Sequence, residues 1–323
     1  MQPQSPRGQS LGGAARPSGH GQKGSDIGMT GDRCRERAMP QTQESKEQGQ
    51  EAGSNSPHLD NEEKEQAAEH SSPHALVIHE IVREEGENSM ERTFFALAWS
   101  ALAAGLSIGF SFLTQATLLA ALPDEPWRDL VASFGYTIGF VIVILGRQQL
   151  FTESTLSAVL PVLTRRDVKT LLKTFRLWAI VLSFNLIGTI IFAAILQIHG
   201  VFPDDVVEAL GKLAQLPISA SFGVTVIRAM FAGWLIALMV WLLPSARSAR
   251  FLTILLITYT VAVSKLSHVI AGSVETSYAV MTGAATIRDY LLVFLVPTFI
   301  GNMIGGISLV AIVNHAAIAP EID

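Results

Sequence analysis

The sequence predicts an all-α membrane protein with six transmembrane helices, arranged as a three-plus-three inverted repeat in which helices 2 and 5 are broken. Three observations lead there. Six apolar runs reach membrane-spanning length, two of them are overlong and carry polar interruptions, and those interruptions recur at a fixed spacing along the chain.

The runs lie near 94–121, 130–163, 177–199, 221–243, 251–283 and 290–313. Crossing the hydrocarbon core takes about 20 apolar residues, so the second and fifth runs are too long to be simple crossings. The second contains Gly146-Arg147-Gln148-Gln149-Leu150-Phe151-Thr152-Glu153-Ser154-Thr155, and the fifth contains Ser264-Lys265-Leu266-Ser267-His268-Val269-Ile270-Ala271-Gly272-Ser273-Val274-Glu275. Backbone that leaves the helix at membrane depth is tolerated only where protein buries it or a water cavity solvates it. Both runs therefore read as broken helices.

Ahead of the first run the composition changes. Residues 1–93 carry 26 of the 51 charged side chains, 16 acidic and 10 basic, and residues 1–74 contain no Phe, Trp or Tyr. Such a segment cannot bury enough apolar surface to offset its ordering entropy, and residues 1–75 are expected to form a disordered cytoplasmic tail. Residues 76–93 read either as an interfacial amphipathic helix or as a charged linker. The transmembrane transporter domain is placed at 94–315 and a short cytoplasmic tail at 316–323.

The single Cys34 excludes a disulfide framework and a cysteine metal site, so no metal or cofactor is expected. The first 30 residues lack the apolar stretch of a signal peptide. Neither half is a basic nucleic-acid surface. No Walker, Rossmann, HExxH or GxSxG pattern occurs, which argues against an enzyme.

Orientation follows the basic residues of short loops. Arg165, Arg166, Lys169, Lys173, Arg176, Arg247 and Arg250 lie on one side, against Arg128, Lys212 and Arg288 on the other. Seven against three places the first set, and with it both termini, in the cytoplasm.

The third run contains Asn185-Leu186-Ile187-Gly188 and the sixth Asn302-Met303-Ile304-Gly305, an offset of 117 that also carries Phe151 onto His268. Two features at one offset argue for a duplicated three-span unit whose second copy enters the membrane upside down. Such repeats place their site near the midplane, where the breaks meet. Small-residue pairs such as Gly105/Gly109 and Gly301/Gly305 permit close helix packing.

Ionisable groups at bilayer depth line pathways or pair with one another. His268 either exchanges a proton or, as a cation, holds an anion; the bland reading is a neutral, hydrogen-bonded bundle histidine. It is expected to set the pH dependence of flux. Lys265, one helical turn earlier, either adds positive potential beside His268 or neutralises Glu153 or Glu275. Arg228, read at mid-span of the fourth run, is expected to pair with one of the same glutamates. Thr152 offers a hydroxyl at the first break, as pathway lining or as a helix cap. Leu150 and Phe151 suit an apolar constriction. Tyr136 and Phe140 face either the pathway or lipid.

These motifs resemble the formate/nitrite transporter family over about residues 90–315, most closely its YfdC-like branch. Gln149-Leu150-Phe151-Thr152-Glu153-Ser154 looks like the family's first-break motif. Asn185 to Gly188 and Gly301 to Gly306 match its third- and sixth-helix signatures, and His268-Val269-Ile270-Ala271 resembles the stretch around its central histidine. The resemblance implies an aquaporin-like protomer assembled as a homopentamer, one pore each, for small monovalent anions such as formate or nitrite. It implies that Leu150 and Phe151 constrict the pore, and that Thr152 and His268 face the site where the anion is protonated. The chain departs from the pattern at Gln149, Glu153, Gly233 and Gly272, and in the charges Arg228 and Lys265.

The expected protein is thus an inner-membrane channel or transporter for a small weak-acid anion. A non-transporting scaffold, with its charges closed into salt bridges, and a channel for a small neutral solute stand as the alternatives. Reporter fusions at Asn55 and after Asp323 are expected both to report cytoplasm; a periplasmic signal from either rules the topology out.

Overall fold

The computed structural model describes residues 56–70 and 73–322, and among them every regular element is helical. Most of the expected tail at 1–75 therefore lies outside the described residues. Within it, α1 (Asn61–His70) starts at a reciprocal capping box: Glu63 N–H donates to Asp60 Oδ1 at 2.8 Å and Asp60 N–H to Glu63 Oε2 at 2.9 Å.

The segment before the first apolar run is a helix, α2 (Ala75–Glu91), with Ile78, His79, Val82, Gly86 and Met90 buried along one stripe. Its opposite face is charged. Arg83 reaches Glu80 at 2.7 Å and Glu87 at 2.6 Å, while Glu87 also takes Arg165 at 2.8 Å and Glu91 takes Lys173. The Arg83 guanidinium holds the Glu80 carboxyl below its usual range.

The apolar runs follow as α3 (Phe94–Ala121), α4 (Arg128–Leu145), α5 (Phe151–Arg165), α6 (Val168–Ile195), α7 (Asp204–Ala214), α8 (Phe222–Ala246), α9 (Arg250–Val263) and α10 (Ala271–Met281). The last run, Asp289–Ile312, is helical with π-type turns on either side of α11 (Val296–Met303), and α12 (Val313–Ile322) follows it. Among the described residues, five helical stretches are long and apolar enough to cross a bilayer; one of them is the 42-residue run Phe222–Val263, containing both α8 and α9.

The helix at Asn61–His70 stands where a disordered tail was expected, and two further details differ from the sequence reading. The basic loop 164–176 is largely helix: Asp167 caps α6 through a 2.9 Å bond from Thr170 N–H, so Lys169, Lys173 and Arg176 project from its first turns. The connection after α6 contains α7, whose Val206, Ala209, Leu210, Leu213 and Ala214 form a buried helical stripe.

Two helix pairs that correspond in the repeat, α3 against α6 and α8 against α11, both depend on glycine. A Cβ on Gly105 of α3 would sit 2.2 Å from the Asn185 carbonyl oxygen, and one on Gly233 of α8 would sit 2.3 Å from that of Asn302. Gly188 and Gly305 repeat the arrangement from the other side, with backbone at 2.7 Å and 2.0 Å respectively. Gly105→Val is accordingly expected to destabilise by about 1–3 kcal/mol through overpacking, read as a lower melting temperature in detergent. Val at the open position Gly211 should be far milder.

Candidate functional site

The long second run is interrupted between α4 and α5, and the fifth between α9 and α10. The two interruptions are built alike. Gly146 N–H bonds Ile142 O (2.9 Å), Arg147 N–H bonds Ile144 O (3.2 Å), and Gln148 N–H bonds Val143 O (3.0 Å). At the second interruption, Ser264 N–H bonds Thr260 O (3.1 Å), Lys265 N–H bonds Ala262 O (2.9 Å), and Leu266 N–H bonds Val261 O (3.0 Å). Arg147 and Lys265 end their helices in the left-handed region, at φ 51° and 52°.

One asparagine then spans each gap. Phe151 N–H donates to Asn185 Oδ1 (2.9 Å), while Asn185 Nδ2 donates to Ala101 O (2.7 Å) and Gln149 O (2.9 Å). Val269 N–H donates to Asn302 Oδ1 (2.8 Å), and Asn302 Nδ2 to Ala229 O (2.7 Å) and Ser267 O (2.9 Å). Bond for bond, Phe151 corresponds to Val269 and Leu150 to His268. The offset at the breaks is thus 118, one residue more than the 117 that relates the asparagines, because 34 positions separate Phe151 from Asn185 and 33 separate Val269 from Asn302.

The breaks meet in the middle. Thr152 Oγ1 lies 2.8 Å from His268 Nε2, with both side chains buried. Ala271 N–H donates to His268 Nδ1 at 3.2 Å. A backbone amide only donates, so Nδ1 is the acceptor, and the neutral ring carries its hydrogen on Nε2. That hydrogen goes to Thr152 Oγ1, leaving the threonine's own O–H to donate elsewhere. Around this contact the layer is apolar: Leu150 and Phe151 are fully buried, Phe151 stacks on Phe299 at 5.6 Å, and Phe140 meets the imidazole edge-on at 5.0 Å. Tyr136 packs on Phe140 at 5.3 Å.

A cavity opens beside each interruption. The first, of about 300 Å³, is lined by Asp129, Tyr136, Arg228, Lys265, His268 and Glu275 among others. The second, of about 700 Å³, is lined by Glu85, Arg92, Arg147, Glu153, Arg247 and Arg250 among others.

The structure redistributes the expected charge network. Lys265 pairs with Asp129 at 3.6 Å, with both side chains more than half exposed, rather than with a glutamate. Its left-handed backbone interrupts the helical turn that would have placed it on the face of His268. Arg228 sits on the second turn of α8, not at mid-helix, and reaches the first cavity, whereas Glu153 lines the second. The two are not brought together. Asp129, Phe299 and Phe294 belong to the site and carried no sequence signal; Asp129 sits at a helix start, where an acid needs no further explanation.

Apolar helices long enough to cross a bilayer, with a buried polar contact and a cavity that reaches it, describe a multi-pass membrane protein built around a polar site. The family model described as formate/nitrite transporter matches residues 76–316, and the chain belongs to that family. It is 38% identical over 249 residues to the inner membrane protein YfdC of Escherichia coli (strain K12), covering 77% of this chain and 80% of that one. It is 27% identical over 245 residues to the formate channel BtFdhC of Bacillus thuringiensis, covering 74% and 93%. In fold it is similar to a pentameric formate channel with formate bound, at a TM-score of 0.61 and 21% identity, covering 70% of this chain and 98% of that chain.

The asparagine pins are open to test. Asn302→Leu is nearly isosteric but leaves the Val269 N–H and two carbonyls without their partner. A buried unsatisfied group costs about 1–3 kcal/mol, so a large loss of thermal stability is expected for Asn302→Leu and likewise for Asn185→Leu. Retention of the wild-type melting temperature by either variant would exclude the pins as structural supports.

Proposed function

We propose that the chain is an inner-membrane channel or transporter that passes a small monovalent weak-acid anion, of the formate and nitrite kind, as its neutral acid. The observation that carries this reading is the 2.8 Å Thr152–His268 contact, set in an apolar layer between two cavities. The walls of the second cavity carry Arg92, Arg147, Arg247 and Arg250 against Glu85 and Glu153, an excess of positive charge that favours anions there, and Arg228 places a cation in the wall of the first. The layer offers no fixed cation. An ion entering it would lose its hydration without compensation, so the anion sheds its charge before crossing.

Within the layer His268 acts as a neutral donor rather than a fixed charge. Turning it into an imidazolium places a hydrogen on Nδ1 and breaks the bond from Ala271 N–H. The Nε2–H···Oγ1 bond polarises the Thr152 hydroxyl, which in turn donates to an oxygen of the passing solute. Among the described residues Arg228, Glu153 and Glu275 form no ion pair, which supports transport over a scaffold whose charges are closed into salt bridges.

In this reading the polypeptide makes six crossings. The broken α4/α5 and α9/α10 segments are the second and fifth, and α8 and α9 divide the 42-residue run. The second cavity, beside the basic 244–250 turn, faces the cytoplasm together with both termini. The residues at 76–93 lie along that interface, following a cytoplasmic tail at 1–75. The similar pentameric channel supports a homopentamer with one pathway per protomer.

Proteoliposomes containing the full chain are expected to take up formate or nitrite at least about tenfold faster than empty vesicles. His268→Ala removes the donor and should lower flux by about one to two orders of magnitude without changing the shape of the pH profile. Vesicles that transport neither anion would overturn the reading.

A further inference from the structure

Each cavity contains a glutamate that the fold does not use. Glu153 is the third residue of α5, next to Thr152, and lines the second cavity half-buried. Glu275 is the fifth residue of α10, half-buried, lining the first cavity beside Tyr136. Among the described residues neither carboxyl has an ion-pair or hydrogen-bond partner. The cations of the two interruptions are already taken, Arg147 by Glu85 at 3.5 Å and Lys265 by Asp129 at 3.6 Å. The same sequence of groups therefore repeats on both sides: a paired cation, an unpaired carboxyl, and then the Thr152–His268 contact.

A half-buried carboxyl costs desolvation and adds nothing to packing that a leucine or glutamine would not. In a pathway it can hold a cation or carry a proton. An anion and an ionised glutamate exclude each other from one narrow space, whereas an anion and a glutamic acid share a hydrogen. The charged and titratable groups facing Glu153 are Glu85 on α2 with Arg92 beyond its end, Arg147 at the first interruption, and Arg247 and Arg250 beyond α8. Those facing Glu275 are Asp129 and Tyr136 on α4, Arg228 on α8, and Lys265 and His268 at the second interruption. His268 has Nδ1 committed to Ala271 and does not carry the travelling proton.

Resting on the anion reading above, we propose that Glu153 and Glu275 are the proton donor and acceptor of transport, one in each cavity. On entry the O–H bond of one glutamic acid breaks and an O–H bond forms on the anion, leaving a glutamate. The neutral acid crosses the Leu150–Phe151–Thr152–His268 layer. On exit its hydrogen passes to the carboxylate of the other glutamate and the anion is released. Water on the entry side returns a proton to the first glutamate, and water on the exit side takes one from the second. One anion and one proton cross together, in either direction.

The test uses the full-length chain in proteoliposomes, with formate as the probe and a pH dye inside, from about pH 5 to about pH 7.5. Wild-type flux should fall only gently over that range. Glu153→Gln and Glu275→Gln keep the shape but cannot carry the proton, so their flux should follow free formic acid and fall about tenfold per pH unit. Glu153→Asp and Glu275→Asp should keep the wild-type slope. A wild type that moves formate beside glutamine variants with its unchanged slope overturns the relay and leaves the anion reading standing. A uniform loss of flux at every pH, the mark of a structural defect, overturns the relay too. A wild type that moves neither formate nor nitrite removes the anion reading and the relay with it.

Discussion

The two interruptions at the heart of this helical bundle depend on two buried asparagines. Where a helix stops inside an apolar bundle, its free amides and carbonyls have no water to turn to, and each unsatisfied group costs several kcal/mol, a magnitude set by transfer into hydrocarbon. Asn185 and Asn302 each supply one acceptor and two donors, and each uses all three on the flanks of one interruption and the helix behind it. With that bonding in place, α5 and α10 can start in mid-bundle, and Thr152 and His268 can meet.

The close helix approaches follow from the same requirement. An asparagine reaches Ala101 O or Ala229 O only if its helix lies against the neighbouring backbone, and Gly105 and Gly233 make room for that contact. The glycines therefore do more than tighten the bundle. They bring a backbone carbonyl within reach of a side chain that must be satisfied. The apolar layer of Leu150, Phe151, Phe140 and Phe299 then closes around the contact, and the cavities are what remains on either side.

The charges divide by depth. Ion pairs such as Arg147–Glu85 and Lys265–Asp129 lie at exposed mouths, where pairing contributes little to stability. Arg147 and Lys265 hold left-handed backbone that glycine would adopt without strain. Glu153 and Glu275 are half-buried and, among the described residues, unpaired, near a polar contact whose only titratable member is held by a backbone amide.

Much of this was legible in the chain. Apolar runs, their polar interruptions and a recurring Asn-x-x-Gly are local signals, and an ionisable residue inside an apolar run stands out because it is costly there. His268, Thr152, Leu150, Phe151, Asn185 and Asn302 were singled out in that way. The helix α7 is legible too, as a Pro203-Asp204-Asp205 start before a helical apolar stripe, although the sequence reading uses Lys212 there only as a loop charge. What the chain could not disclose was which separated residues touch. The offset of 118 rather than 117 at the breaks, the turn of Lys265 toward Asp129, the arrival of Arg228 and Glu153 in different cavities, and the stacking of Phe299 on Phe151 all depend on helix register and backbone handedness at the interruptions. Composition and spacing determine that a polar break will be buried. Only the packed structure decides which partner satisfies it, since that choice is made by distances of a few ångströms between residues more than a hundred positions apart, as between Thr152 and His268.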